Sequence, residues 1–426
     1  MKKTAVVVGT GAGGAAVGKE LMKRYHVVFL EEGKDFHPFG FPVGGLASLR
    51  KSGLFLDERM IHTLFPNMIV RKSKDMVHVN GRGVGGTTTL ATGNAVRYDG
   101  ALRELGIDLD REFEELYEEL PITTEHEKYW DTSTRDLWDA FVRSGITPQV
   151  TPKLLKKPDC ARCGHCAIGC PTGAKWDTRE IIEECVALGA ELRKGCRAVR
   201  SETENGRVTG LRAVEDSVKL DFHADLYVLA AGGLGTPEIL SNSGIPVTET
   251  LFGDPVLAVA ARMPGFHQEH QILMPFISQH DGYILSPYMD YLSFFFNKKW
   301  RLPITDIASV MIKMADESVG SVRKGKIEKE LTERDKEILH DGVRTASRIL
   351  KNLGARKEDL FLGTVNEGHP GGMLPLTEKE AQSLHSPLLP ENLYVADATI
   401  LPRSMGNPPI LTIMALARKI ARTIDI

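Results

Sequence analysis

The sequence predicts an α/β protein, and four stretches predict it. Thr4 to Val8 (TAVVV) is a β-rich run that ends in a glycine turn, and a second apolar run follows at Val27 to Leu30 (VVFL). Leu226 to Ala231 (LYVLAA) also runs into glycines, and Leu393 to Ala396 (LYVA) closes on Asp397. Short continuous apolar runs bounded by turn residues read as strands buried on both faces, the pattern of a parallel sheet.

The N-terminal segment carries the most information. Gly9, Gly11 and Gly14 form G-x-G-x-x-G directly after the first strand, and Ala15 to Lys23 suits a helix. The first glycine makes the tight turn, the second lets a pyrophosphate approach the backbone, and the third lets helix and strand pack closely. The helix N-terminus offers free N–H groups to phosphate. Glu31, at the end of the second strand, is placed to accept from ribose hydroxyls. This is a Rossmann-like dinucleotide site, and the fragment alone leaves FAD and NAD open. The same residues resemble a secretory signal, but the strand and turn account for more of them.

Composition narrows the class. A net charge of −3 with 26% charged residues gives no basic footprint for nucleic acid. No apolar run is long enough to span a bilayer, and Tyr291 to Phe296 (YLSFFF) reads as a core strand or the wall of an apolar pocket. Of six cysteines, four fall within eleven residues, which points to a metal or cluster in a reducing, cytoplasmic setting and not to disulfides. They are Cys160, Cys163, Cys166 and Cys170, followed by Pro171, in the C-x2-C-x2-C-x3-C-P spacing of bacterial ferredoxins.

Three later segments separate the two dinucleotides. They are Gly81 to Gly93 (GRGVGGTTTLATG), Ala231 to Ile245 (AGGLGTPEILSNSGI) and Leu393 to Pro408 (LYVADATILPRSMGNP). Gly85, Gly86, Thr87 and Thr88 give a compact loop with backbone and hydroxyl donors for pyrophosphate or a flavin edge. Thr236 and Pro237 suit the cap and start of a helix at Glu238. With the N-terminal fingerprint, these segments resemble the glucose–methanol–choline (GMC) family of FAD-dependent oxidoreductases. Ala91 stands where that family usually has Asn or His, with Asn94 close by, and Gly233 and Pro246 are further departures.

The resemblance implies a Rossmann-like FAD-binding domain interleaved with an α+β substrate domain built on an antiparallel sheet. The FAD domain is expected at 1–100, 175–255 and 370–426, the substrate domain at 256–369, and an acidic insertion with the cysteine loop at 101–174. Cofactor contacts are expected from Gly9, Gly11, Gly14, Glu31, Gly85, Gly86, Thr87, Thr88, Asn94, Asp397 and Pro408. His369 (GHPGGM) and Asn407 (GNPP) match the family's flavin-facing residues. Alcohol oxidation removes a hydroxyl proton and a carbon-bound hydride. Imidazole is a base suited to the proton, and an amide can orient the substrate oxygen.

Some members of the family hold an iron–sulfur cluster close to the flavin, and this motif is similar. The four cysteines are expected to bind one 4Fe–4S cluster, with 3Fe–4S or zinc as alternatives. A cluster would split the electron pair and pass it to an external acceptor such as ferredoxin or another small redox protein. That makes an alcohol dehydrogenase, with an apolar substrate favoured over a sugar, the leading expectation. The alternatives are a reductase of a carbonyl or activated double bond, and a non-catalytic electron-transfer subunit. Thr332 to Leu353 reads as an amphipathic helix, and the charge run Arg323 to Lys336 as solvated surface.

Overall fold

The computed structural model describes residues 2–39, 65–156 and 160–424. Asp159, which opens the cysteine stretch, lies outside them. The four apolar runs read from the sequence form neighbouring strands. Leu393–Val395, Leu226–Leu229, Lys3–Val8, Tyr25–Glu31 and Glu191–Lys194 lie in that order in one sheet. Every pair in it is parallel, with Val6 opposite Tyr227 on one side and Val28 on the other. Burial on both faces explains why these strands show no polar alternation. The helices Ala12–Leu21 and Ile410–Thr423 pack together against this sheet and share its core.

Close approach dictates two glycines. Gly9 has φ +97°, and a Cβ there would lie 2.2 Å from the Ala230 carbonyl oxygen. A Cβ on Gly14 would lie 2.0 Å from the Gly9 oxygen, so helix and turn meet only without a side chain.

The second sheet is antiparallel but for one pair. Its centre is Val256–Arg262, Ile307–Met314, Tyr283–Pro287 and Phe276–His280. Its strands alternate strictly between faces. Leu257, Val259, Ala308, Val310 and Ile312 pack toward the helix Glu333–Leu353. Ala258, Ala260 and Ile307 face an aromatic cluster around Phe294, Phe295 and Trp300. The helix Glu333–Leu353, expected from its amphipathic pattern, begins with a reciprocal capping box between Thr332 and Asp335. Thr332→Ala should cost about 1 kcal/mol, read by chemical denaturation.

Several expectations need correction. Met68–Lys72 and Val77–Gly81, expected in the FAD half, hydrogen bond into the antiparallel sheet, the second of them parallel to Asn366–Glu367. Gln149–Val150 of the insertion joins its other edge. YLSFFF is a short helix, Tyr291–Phe296, capped by Asp290, whose carboxylate accepts the Ser293 N–H at 3.0 Å. The helix expected from Glu238 starts at Gly232 and carries Pro237 inside it. Thr236 is drawn away from capping that helix start: its hydroxyl donates to Asp397 at 2.6 Å and accepts the Ala231 N–H. Within the charge run, Lys329 is fully buried against Asp316 at 2.7 Å. The acidic helix Asp110–Glu119 spends its charge on the C-terminal helix, where Arg418 bonds Glu119 and Arg422 bonds Glu112. Among the described residues no helix is long and apolar enough to cross a membrane.

Candidate active site

A cleft of about 480 Å³ runs along the C-terminal ends of the parallel strands, where open α/β sheets place their ligands. Gly9 and Gly11 line it, with Glu31, Gly86, Thr87, Thr88 and Asp397. A Cβ on Gly11 would meet nothing closer than the Gly86 Cα at 4.0 Å, so bare backbone faces a ligand there. Gly14 and Gly85 stand behind this wall. The Gly85 N–H donates to the Thr10 hydroxyl at 3.0 Å, which locks the 81–93 loop onto the first turn.

The two acids are clamps as well as walls. The Glu31 carboxylate accepts the Thr10 hydroxyl (2.6 Å) and the backbone N–H groups of Thr10, Gly33 and Gly83. These four donors fill its acceptor sites. Glu32, the next residue, also lines the cleft and is half-buried. Asp397 accepts the Gly232 and Thr399 N–H groups at 2.8 Å each, joining two strand ends. Burial raises both carboxyls above their ordinary range despite these bonds.

A second cavity, about 160 Å³, opens beside the cleft between the two sheets. Phe65, Met68, Leu292, Phe295, Phe296 and Met311 give it an apolar wall. His369 lines both spaces, as do Thr87, Ala91, Pro409 and Ile410. The imidazole is 26% exposed, and its Nδ1 lies 3.9 Å from the Asp254 carboxylate without a hydrogen bond. Burial and then the Lys313 cation push its pKa well below 6.5, so the ring is neutral at pH 7.

Sequence reasoning missed Asp254 and Lys313. Lys313 Nζ meets Asp254 Oδ2 at 2.5 Å, and both side chains are buried. The other Asp254 oxygen accepts the Ser404 hydroxyl and the N–H groups of Met405 (3.1 Å) and Gly406 (3.0 Å). One carboxylate thus holds the turn before Asn407 and stands beside His369. A lysine inside the apolar strand IASVMIKM was the available signal, because a buried ammonium needs an anion.

Two expected site residues are placed differently. Asn407 is buried, and its amide oxygen accepts from Gln279 Nε2 at 2.9 Å. It lines neither cavity, so the substrate-orienting role expected of it does not match its placement; Pro408, expected at the cofactor, lines the apolar cavity alone, and Pro409 lines both. Asn94 lines the apolar cavity and not the nucleotide cleft. Its Nδ2 donates to the Met274 sulfur at 3.0 Å, and its oxygen accepts from Lys153.

Cys160, Cys163, Cys166 and Cys170 line one small cavity with Lys153, Lys175 and Gln271. None is in a disulfide. Cys170 Sγ accepts the Lys175 N–H at 3.4 Å. Three sulfurs on one zinc would lie about 3.8 Å apart. Among the described residues, the only set of three or more ligand atoms mutually within 4.8 Å is His267, Glu269 and His270. The four thiols thus share one cavity, and no three of their sulfurs lie mutually within 4.8 Å. Thr92 lines both this cavity and the apolar one. Burial lowers Lys153 to about 7 and moves Lys175 in the same direction, against the pull of nearby thiolates.

Known proteins resemble this chain in sequence and in fold. Pyridoxine 4-oxidase from Mesorbium loti superposes with a TM-score of 0.74 over 99% of both chains at 16% identity, which shows the fold. An uncharacterized protein of Methanocaldococcus jannaschii is 25% identical over 98% of each chain. An uncharacterized GMC-type oxidoreductase of Mycobacterium tuberculosis is 27% identical over 98% of this chain and 75% of its own. A long-chain-alcohol oxidase of Arabidopsis thaliana is 24% identical over 62% of this chain and 45% of its own. Residues 4–258 match the family model of the GMC oxidoreductases. With that match spanning more than half of its length, the chain belongs to the GMC oxidoreductase family, whose members bind FAD.

Proposed function

We propose that the protein is an FAD-dependent dehydrogenase that oxidises an apolar alcohol and delivers the electrons, through an iron–sulfur cluster, to an external one-electron carrier such as ferredoxin. The observation that carries the reading is His369 at the seam of the nucleotide cleft and the apolar cavity. Bound FAD supplies the hydride acceptor. The chain does the rest. Gly9, Gly11, Gly86, Thr87 and Thr88 cradle the dinucleotide, with Glu32 toward the ribose. The aromatic wall takes the substrate's apolar body and excludes water. Neutral His369 takes the hydroxyl proton. Asn407 acts through Gln279 and the Pro408–Pro409 wall, as a positioning residue. The long-chain-alcohol oxidase relative is consistent with an apolar substrate.

Four thiols around one cavity, next to the apolar cavity, support a 4Fe–4S cluster; it would supply a one-electron exit. Two measurements test the proposal. Mixed anaerobically with primary alcohols of increasing length, the protein should lose its flavin absorbance; no bleaching with any of them refutes the alcohol assignment. Fast oxygen turnover with stoichiometric peroxide refutes the relay.

The pH profile has a stated sign. A depressed folded pKa keeps His369 deprotonated until pH falls through that lower value. The acid limb of kcat/KM should therefore lie below pH ~6.5, the ordinary value for His. A limb at or above it contradicts the neutral base.

A further inference from the structure

Among the described residues, the thiol cavity is lined by cations and by no carboxylate. Lys153 and Lys175 are both buried. Neutral oxygens satisfy their ammonium groups. Lys153 Nζ donates to Leu273 O (2.5 Å), Thr92 O (3.2 Å) and the Asn94 amide oxygen. Lys175 Nζ donates to Thr89 O (2.6 Å), Ala91 O (2.7 Å), Cys166 O (3.1 Å) and Thr88 O (3.2 Å). Among the described residues neither forms an ion pair with a carboxylate. Asp177, near Lys175, is committed to Arg179 through bonds of 2.8 and 2.9 Å. Arg162 adds a third cation at the exposed mouth, held by the Tyr129 carbonyl at 2.9 Å. Hydrogen bonds to carbonyls anchor a buried ammonium but do not neutralise it, and an unneutralised buried charge is costly.

We propose that Lys153, Lys175 and Arg162 form a cationic frame that stabilises the reduced state of a cluster held by Cys160, Cys163, Cys166 and Cys170, and so raises its midpoint potential. The inference rests on the iron–sulfur reading above. A cubic cluster on four thiolates is an anion, and taking up an electron adds one more negative charge. Fixed positive charges a few ångströms away favour that state, most strongly where water is excluded. The placement also has a second consequence. Lys175 gathers the carbonyls of Thr88, Thr89 and Ala91, the loop that borders both the cleft and the apolar cavity, and ties them to Cys166. One side chain thus fixes the distance between the thiol cavity and the flavin loop.

The test is a redox titration of anaerobically reconstituted protein, monitored by electron paramagnetic resonance, with dithionite as reductant. Wild type, Lys153→Gln, Lys175→Gln, Lys153→Arg and Arg162→Gln are compared. Loss of a buried cation should shift the cluster equilibrium against reduction about tenfold, a fall of ~59 mV for a one-electron couple. Lys153→Arg keeps the charge and should stay close to wild type. Clusters present with unchanged midpoints in the glutamine variants overturn the frame while leaving the cluster reading intact. No iron retained by the wild type overturns both. If the buried variants do not fold, Arg162→Gln decides. At the surface, its midpoint should fall at low ionic strength, and the fall should shrink with added salt. No fall overturns the proposal.

Discussion

His369→Ala should slow flavin reduction by alcohol about 10²–10⁴-fold, the usual contribution of a positioned base, while FAD stays bound. The ring borders the cleft at one edge only, and the glycine cradle, the 81–93 loop and the Asp397 clamp do not depend on it. Stopped-flow absorbance under anaerobic conditions separates the two effects, because bound flavin is counted before alcohol is added. Wild-type reduction rates in the variant would remove His369 as the base. Loss of flavin would show that the ring helps to hold the cofactor.

Lys313→Ala should destabilise the fold by about 3–5 kcal/mol, the cost of leaving one member of a buried ion pair unpaired. Asp254 and Lys313 are both almost inaccessible, and the charge left on Asp254 has the Ser404 hydroxyl and two backbone N–H groups but no cation bonded to it. Asp254→Asn added to Lys313→Ala should recover part of the loss, because the orphaned charge is then gone. Denaturant unfolding of the two single variants and the double variant measures the coupling. A loss below 1 kcal/mol in Lys313→Ala would mean that water or another group already compensates the pair. The same variant carries a chemical signature. Lys313 is the second cause, after burial, of the lowered His369 pKa. Without it the pKa rises, and the acid limb of kcat/KM should move to higher pH.

The nucleotide half was legible because its rules are local. A strand, three glycines at fixed offsets and a helix are adjacent in the chain, so spacing alone positions Gly9 and Gly14. Strand ends could be placed to within a residue or two, because runs such as LYVL are buried on both faces and stop abruptly at glycine or aspartate. The four cysteines come to one cavity for the same reason: they lie within eleven residues of one another.

The polar partners were not legible, because each depends on contacts far apart in the chain. Glu31 reads as a ribose acceptor until the loop at Gly83, fifty-two residues on, brings a further donor to it. Asn407 reads as a substrate contact until Gln279, from the antiparallel sheet, takes its amide. YLSFFF reads as a core strand or a pocket wall because an all-apolar run has no period; it does wall the apolar cavity, but Asp290 at its start and packing all round made it a helix. By itself the sequence determined the parallel nucleotide-binding sheet, the family and the residues that could do chemistry. Only the tertiary structure decided which of them meet. It placed His369 between two cavities, paired Lys313 with Asp254 beside it, and set two buried lysines around the four thiols. The physical reason is that a buried charge must find its partner wherever the fold brings one, and chain spacing does not encode that distance.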